Sequence, residues 1–339
     1  MTNAGWTKTK KILCVVGPTA SGKSALAVRL AHFFDGEVIS CDSMQLYRGM
    51  DIGTAKATEE EKDGIAHHLL DILDIHDSFS VSDYVKRAAG CVKELVLRGK
   101  TPIFCGGTGL YIDSFISGLP FNEYEPKEGL REELALFAEK NGAAALHARL
   151  AELDPVCAGT IEVQNVKRVI RALEICLSTG EPMSVWQERA KANAKPRDAV
   201  YIGLTFSDRK ALYERIDKRV DSMMKAGLLE ETERLLQQGL RETPTAGQAI
   251  GYKEFYPYFD GVSSLEECVE RLKINSRHYA KRQLTWFKRN PDIRFFEVDT
   301  MPPEVLEREV CAFCKSKLEH PDETRACTDE KSQRSGGHE

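Results

Sequence analysis

The amino-acid sequence predicts an α/β protein in which helices flank a parallel β-sheet and an all-helical domain is inserted into the chain. Short apolar runs rich in β-branched residues alternate with helical patterns, which is typical of parallel strands joined by crossover helices. A glycine-rich segment ending in lysine and serine separates the first strand from the first helix. From about residue 123 to residue 196 only helical patterns remain, and this change predicts the insertion.

Five segments have the apolar character and the flanking turn residues of buried strands. They are residues 12–16, 37–41, 102–105, 200–206 and 293–298. The helix predicted at 81–97 follows Ser80, with Asp83 three residues later, which is a capping-box pattern. The other helical patterns cover residues 23–34, 130–140, 143–153, 166–178, 184–191, 208–238 and 265–289.

These patterns divide the chain into a sheet domain and an insertion. Residues 9–122 are predicted to form the first part of the core and residues 198–310 its second part, which ends with a basic helix. Residues 123–197 are predicted to form the helical insertion. Residues 319–339 are polar and poor in large apolar side chains, so we expect a disordered tail.

The bulk composition is that of an ordinary globular protein. Among 339 residues, 42% are hydrophobic and 29% are charged, and the net charge of −5 does not indicate a nucleic-acid partner. No apolar run is long enough to span a bilayer, and the short apolar run at 12–16 is interrupted by glycine and proline. We therefore expect a cytoplasmic protein without a membrane anchor.

The ten cysteines are mostly scattered singly in apolar segments, which predicts buried thiols rather than disulfides. Cys311 and Cys314, with His320 and Cys327 downstream, could belong to a zinc site. The pair lies in a helical pattern and the remaining spacing is irregular, so the sequence favours a helix.

The glycine-rich segment matches the P-loop pattern and stands between a predicted strand and a predicted helix. It reads Gly17-Pro18-Thr19-Ala20-Ser21-Gly22-Lys23-Ser24. Its backbone N–H groups and the helix N-terminus would face an anion. Lys23 would neutralise phosphate oxygens and Ser24 would ligate Mg²⁺. The predicted sheet is therefore P-loop NTPase-like.

A P-loop does not specify a reaction, so the residues that follow the other predicted strands must indicate it. Ligands of such sheets bind at the carboxyl ends of the strands. Asp42 follows the second strand, where it could equally be a turn former. The third strand ends in 106–109, whose glycines admit close backbone approach and whose Thr108 offers a hydroxyl. An NTPase would usually carry an acid there. Arg215 and Arg219 share a helix face and could either hold a pyrophosphate or be solvated.

Two basic segments suggest a folded RNA partner. Residues 271–290 contain seven Lys/Arg side chains interleaved with aromatic ones and no acid. This pattern suits a nucleic-acid backbone with unstacked bases, and it suits equally an amphipathic helix whose aromatic residues are core. The second basic group lies in the insertion and comprises Lys167, Arg168 and Arg171.

Together these motifs resemble those of the bacterial tRNA dimethylallyltransferases, in order along most of the chain. The stretch from Asp42 to Lys56 is specific to that family and its isopentenyltransferase relatives, far beyond a generic P-loop. The other matching segments are residues 17–24, 67–71, 106–111, 168–174, 251–254 and 281–287.

The resemblance implies transfer of a dimethylallyl group from dimethylallyl diphosphate to N6 of adenosine 37 in tRNAs that read codons beginning with U. It implies that Asp42 is the general base and that Thr19 to Ser24 hold the diphosphate. Lys23, Arg219 and Thr108 would assist, and Mg²⁺ would accompany the diphosphate. The expected partner is the tRNA anticodon stem-loop, bound by a monomer.

The resemblance also implies a set of tRNA-contacting positions. Met44 stands where many members carry Arg, so no role is assigned to its side chain. The positions are Asp42, Ser43, Met44, Gln45, Thr108, Arg131, Lys167, Arg168, Val169, Ile170, Arg171, Gln248, Gly251, Tyr252, Lys253, Lys281, Arg282, Gln283, Trp286 and Lys288.

Three other functions compete with this one. A P-loop kinase of small molecules would turn over ATP and would have no use for the basic helix. An isopentenyltransferase acting on free adenine nucleotides would need neither the insertion nor the basic segment at 271–290. An RNA-binding or nucleotide-switch protein without catalysis would leave Asp42 without a role.

Overall fold

A computed structural model of the chain describes residues 11–120 and 127–319. The tail was predicted at 319–339; its first residue, Glu319, ends a helix, and residues 320–339 lie outside the described residues. The predicted domain boundary at residue 123, His320 and Cys327 lie outside them as well.

Six parallel strands form the sheet of the described residues, in the order β3-β2-β4-β1-β5-β6. The predicted fold class and the five predicted strands are confirmed, with ends shifted by one or two residues. The sequence does not predict β3, because a two-residue edge strand has no periodicity of its own. The strands are β1 Ile12–Val16, β2 Gly36–Ser40, β3 His67–His68, β4 Thr101–Gly106, β5 Ala199–Thr205 and β6 Ile293–Glu297.

Helices connect the strands, and three short 3₁₀ turns lie at Leu240–Glu242, Ala246–Gln248 and Lys253–Phe255. The described α-helices are α1 Lys23–Phe33, α2 Glu59–Lys62, α3 Val81–Leu97, α4 Gly109–Ser117, α5 Leu130–Leu153, α6 Pro155–Ala158, α7 Val166–Thr179, α8 Met183–Ala192, α9 Arg209–Lys225, α10 Leu228–Gln237, α11 Tyr256–Phe259, α12 Leu265–Phe287 and α13 Pro303–Glu319. None of them combines the length and the apolar composition needed to cross a bilayer.

One predicted helix was wrong because of a glycine inside it. The single helix predicted at 208–238 is two helices, since Gly227 has φ 98° and caps α10 in the left-handed region. The two helices predicted at 130–140 and 143–153 are confirmed, because the element α5 is broken between them at Gly142, whose φ of 85° and ψ of 160° are not helical. The predicted capping box is confirmed, because Ser80 and Asp83 satisfy each other's backbone N–H groups at the start of α3.

Residues of β1 alternate between two apolar cores, so the sheet is covered on both faces. Leu13 and Val15 pack with α1 and α13, while Cys14 and Val16 pack on the opposite face. Cys311 and Cys314 of α13 are buried in the first of these cores, as the helical pattern predicted. Burial raises the pKa of the Cys314 thiol to about 12.

Residues Ser117–Pro196 form a compact helical unit of their own. Helices α5 and α7 pack against each other around buried apolar side chains, among them Leu134, Leu150, Val169 and Leu173. Asp154 is buried beside this core, where it caps α6 by accepting from the Cys157 N–H at 2.9 Å.

In the sheet-containing unit, the carboxylate of Glu231 holds the loop that follows β2. It accepts from the backbone N–H groups of Asp51, Ile52 and Gly53 at 3.2, 2.9 and 3.1 Å. It also accepts from the Tyr252 hydroxyl at 2.7 Å, and Glu231 is only 4% exposed. Because three consecutive amides converge on one buried carboxylate, the loop has one tightly defined position.

Replacing Glu231 by Gln should lower the free energy of unfolding by about 2 kcal/mol, because the new NH₂ group would face donors instead of accepting from them. Urea denaturation measures the change, and Tyr252→Phe, which removes a single bond, should cost about 1 kcal/mol. Equal losses for the two variants would contradict the role given to the carboxylate.

Candidate functional site

The loop between β1 and α1 has the geometry of an anion cradle. Gly17 has φ 146° and Gly22 has φ 89°, conformations that glycine adopts without strain. A Cβ on Gly17 would lie 2.6 Å from the Leu204 carbonyl oxygen, so a side chain has no room there. Gly22 caps α1 and turns the loop onto the helix N-terminus, where backbone N–H groups favour an anion.

Lys23 lies in this cradle and donates from Nζ to the Pro18 carbonyl oxygen at 2.6 Å. The pKa of Lys23 is lowered to about 8, chiefly by burial; the positive charge of Arg219 contributes to the shift, while Cys105 and Asp42 oppose it. The Ser21 hydroxyl is buried and has no hydrogen-bond partner among the described residues. The cradle therefore holds positive charge and an unsatisfied donor that an anion would complete.

A cavity of about 850 Å³ opens beside the cradle. Many of the predicted site residues line it, and they come from the P-loop, the loop after β2, α9, the 248–253 segment and α12. The predicted residues in its wall are Thr19, Ala20, Ser21, Gly22, Lys23, Ser24, Asp42, Ser43, Met44, Gln45, Arg219, Gln248, Lys253, Arg282 and Gln283.

Asp42 is half-buried in this wall and is oriented by its own loop. Its Oδ1 accepts from the Met44 N–H at 2.9 Å, and no described residue donates to Oδ2. The next residue, Ser43, donates its N–H to Thr108 Oγ1 at 3.1 Å. Thr108 in turn donates its N–H to the Cys41 carbonyl at 3.0 Å, so the loops after β2 and β4 are tied together. One carboxylate oxygen stays available for a proton.

Two arginines of α9 line the same cavity, four residues apart on one helix face. Arg215 lies over the Phe206 ring at 5.6 Å from its centroid. Burial lowers the pKa of Arg219, and the carboxylate of Asp42 acts in the opposite direction. Arg219 forms no ion pair with any described residue, so its guanidinium can meet an anionic ligand.

Helix α12 covers the turn after β4 with a stripe of side chains at helical spacing, Gln283 and Trp286 among them. A Cβ on Gly107 would lie 1.8 Å from Gln283 Nε2, and a Cβ on Gly109 would lie 2.2 Å from Trp286 Cδ1. The glycines at 106–109 do admit a close approach, as predicted. What approaches the last two of them is a helix of the same chain.

The basic segment at 271–290 has two different faces. Arg277 and Lys273 pair with Asp217 and Asp221 of α9, the first through two bonds of 2.9 and 2.6 Å. The basic side chains that stay exposed are those of Arg271, Lys281, Arg282, Lys288 and Arg289.

Two aromatic residues of the segment, Trp286 and Phe287, face inward. The Trp286 indole donates to Asp113 Oδ2 at 2.7 Å, and Phe287 is buried. The amphipathic-helix interpretation is confirmed, and the nucleic-acid interpretation of the exposed basic surface stays a prediction.

Several predicted tRNA-contacting side chains of this unit are engaged inside the protein. The Gln45 carboxamide donates to the Thr54 and Ala55 carbonyls at 3.1 and 3.3 Å. Tyr252 is fully buried, and Gly251 is buried with φ 111° against the Gly53 backbone. Their assignment to the RNA remains a prediction, since it concerns a ligand; the structure shows them shaping the wall of the cavity.

In the helical unit, the predicted positions also separate into surface and interior. Lys167 and Arg168 are exposed in the first turn of α7, whereas Val169 is buried and Ile170 packs against the core. The exposed Arg131 and Arg171 both bind the buried carboxylate of Glu174, at 2.6 Å each.

Sequence reasoning did not single out Tyr279 or Glu231. Burial raises the pKa of the Tyr279 phenol above its usual range, as does the charge of Asp42, while a hydrogen bond with Thr108 acts in the opposite direction. Tyr279 also lines the cavity. The spacing of Tyr279, Gln283 and Trp286 along one helix face was the signal available for it.

Comparison with known proteins places this site in a family. The model of the IPP transferase family matches residues 45–290. The chain is 51% identical to the tRNA dimethylallyltransferase of Shouchella clausii over 85% of this chain and 91% of that protein. It is 48% identical to the tRNA dimethylallyltransferase of Bacillus subtilis over 91% of this chain and 98% of that protein.

Solved structures agree. The crystal structure of a tRNA isopentenylpyrophosphate transferase from Bacillus halodurans matches with a TM-score of 0.69 and 44% identity, over 92% of this chain and 97% of that one. A eukaryotic dimethylallyltransferase acting on tRNA matches with a TM-score of 0.79 and 28% identity, over 92% of this chain and 80% of that one. The chain belongs to the IPP transferase family.

Proposed function

We propose that the protein transfers a dimethylallyl group from dimethylallyl diphosphate to N6 of adenosine 37 in tRNAs that read codons beginning with U, with release of diphosphate. The observation that carries the proposal is that Asp42, with one free carboxylate oxygen, shares a cavity with the P-loop cradle, Lys23 and Arg219. Relatives at 48 to 51% identity that are named tRNA dimethylallyltransferases support it.

The cradle suits a diphosphate leaving group. Carbon–oxygen cleavage leaves negative charge on the diphosphate, and donors already aimed at that position stabilise it most. The loop amides, the Ser21 hydroxyl, Lys23 and Arg219 supply such donors. No phosphoryl group moves, so the absence of an acid directly after β4 is consistent with this reaction.

Asp42 suits the role of general base. The exocyclic amine of adenine is a weak nucleophile, and a carboxylate that accepts its proton as the N–C bond forms lowers the barrier. The bond from Met44 N–H fixes Oδ1, so Oδ2 is the oxygen that takes the proton. Thr108 holds the neighbouring residue Ser43 and thereby the orientation of the loop.

Magnesium fits the site as an ion carried by the diphosphate. Ser24 offers a hydroxyl in the first turn of α1, and among the described residues no group of three or more His, Cys, Asp or Glu could hold a metal alone. Diphosphate oxygens and water would complete its ligands. When bound, Mg²⁺ would neutralise charge on the leaving group.

The tRNA partner would be bound through the exposed basic side chains, with its anticodon stem-loop toward the cavity. Lys281, Arg282 and Lys288 offer phosphate contacts on α12, as do Lys167 and Arg168 on α7. The target base must leave its stack to reach a carboxylate inside a cavity. We propose a cytoplasmic enzyme acting as a monomer.

The competing functions are separated by one assay with dimethylallyl diphosphate labelled in the prenyl group, Mg²⁺ and unmodified tRNA. Label incorporated into tRNA supports the proposal. Label found only on free adenine nucleotide indicates the related isopentenyltransferase activity. Consumption of ATP without prenyl transfer indicates a kinase, and RNA binding alone indicates a non-catalytic protein.

Asp42→Asn should lower kcat by a factor of about 10² to 10⁴, because the amide keeps the Met44 bond but cannot act as the base. Single-turnover kinetics measure the change, and the Kd for tRNA should change less than about twofold. Glu94→Ala, which removes an exposed carboxylate on α3, is the control. An equal loss of turnover and tRNA affinity would contradict the role of Asp42.

Replacing Lys281 and Arg282 together by Ala should weaken tRNA binding and reduce the slope of log K against log salt by about 1 to 2, since each phosphate contact contributes nearly one unit. Binding measured at several salt concentrations tests this. Arg308 and Lys315 on α13 form a matched control pair, because their removal changes the charge equally on another helix. The same slope for wild type and the α12 variant would remove that surface from the interface.

The value of kcat/KM for the diphosphate donor should fall as the pH rises above about 8. The lowered pKa of Lys23 means that its ammonium is charged below pH 8 and is lost as pH rises through that value. Because kcat/KM reports the free enzyme, a pH profile detects the loss. Lys23→Arg keeps its charge and should remove this decline, whatever its absolute rate.

A further inference from the structure

The carboxamide of Gln283 lies between the two loops that end β1 and β4. Its Oε1 accepts from the Thr19 N–H of the P-loop at 2.8 Å. Its Nε2 donates to the Gly107 carbonyl oxygen at 3.2 Å. Both ends of one side chain are therefore used to hold two loops of neighbouring strands at a set distance.

The fit around this carboxamide is tight. Gln283 is 5% exposed, and a Cβ on Gly107 would lie 1.8 Å from its Nε2. The Tyr279 phenol, one helical turn earlier, lies near the Gln283 and Thr108 side chains. Thr108 in turn holds Ser43 beside Asp42. One helix face thus reaches the diphosphate cradle and, through Thr108, the loop of the base.

The neighbouring residues point differently. Lys281 and Arg282 are exposed, whereas Gln283 faces the interior. A buried side chain whose oxygen and amide group each hold a backbone loop would have to break those bonds to turn toward RNA. The resemblance places Gln283 among the tRNA contacts, but its geometry assigns it to the other substrate.

We propose that Gln283 is a positioning residue for the diphosphate. By binding Thr19 and Gly107, Gln283 sets the distance between the P-loop and the turn after β4 and so fixes the shape of the loop that receives the anion. The inference rests on the proposed function only in taking the anion in the cradle to be a diphosphate. We expect Gln283, although it belongs to the basic helix α12, to affect diphosphate affinity and not tRNA affinity.

The test measures two affinities for each variant, that for inorganic pyrophosphate with Mg²⁺ by calorimetry and that for unmodified tRNA. Gln283→Met removes both hydrogen bonds at similar side-chain length. Gly107→Ala keeps the carboxamide but places a methyl group where Nε2 lies. It therefore tests the same contact if the Gln283→Met protein does not fold. Thr232→Val, which removes a fully buried hydrogen bond of α10 outside the cavity, is the control for a general loss of packing.

Each of the two variants should weaken pyrophosphate binding by about tenfold, as the loss of about one hydrogen bond implies, with the Kd for tRNA changed less than about twofold. The double variant should bind pyrophosphate as weakly as the single ones, because both remove the same contact. Lys281→Ala, at an exposed position outside the cavity wall, should weaken tRNA binding and leave pyrophosphate binding unchanged, and Thr232→Val should change neither affinity.

Three results would overturn the inference. They are unchanged pyrophosphate affinity in both variants, a loss confined to tRNA, and an equal loss of both affinities, which would make Gln283 a general structural residue. Failure of the proposed function is distinguishable, because it would appear as absent prenyl transfer by the wild-type protein, while pyrophosphate binding needs no turnover.

Discussion

The site depends on one constraint, that all six strands of the described sheet run parallel. In such a sheet the carboxyl ends of neighbouring strands lie at one edge, so loops far apart in sequence must meet there. The P-loop follows β1, Asp42 follows β2 and Thr108 follows β4, and the order β2-β4-β1 places these strands side by side. An anion cradle and a carboxylate in one cavity are a direct consequence of that order.

Helix α12 covers the loops at the carboxyl edge of the sheet with one face and presents basic side chains to solvent with the other. The inward stripe packs on the glycine turn after β4, and the carboxamide of Gln283 bridges that turn to the P-loop. The outward face carries exposed cations such as Lys281 and Arg282. A helix with 3.6 residues per turn can separate these duties within one short segment, so adjacent residues need not share a function.

Local signals accounted for much of the fold. The strand cores, the P-loop and the capping box at Ser80 depend on residues close together in the chain, where periodicity and turn chemistry are informative. The helix prediction failed where one residue interrupts an otherwise continuous helical pattern, as Gly227 does between α9 and α10. The two-residue strand β3 exists only because β2 offers it hydrogen-bonding partners.

The sequence by itself determined the fold class, through the alternation of strand and helix patterns, and the P-loop, through eight consecutive residues. It placed Asp42 after the second strand, and the family resemblance made that residue the candidate base. Only the tertiary structure decided what the remaining polar residues do. Glu231 and Gln283 are residue types that usually lie on the surface. In the structure both are buried, and each accepts hydrogen bonds from backbone N–H groups more than 170 positions away in the chain. Hydrogen bonds over such separations leave no periodic trace in a single sequence. The P-loop could therefore be recognised from residues 17–24 alone, while the side chain that positions it could not.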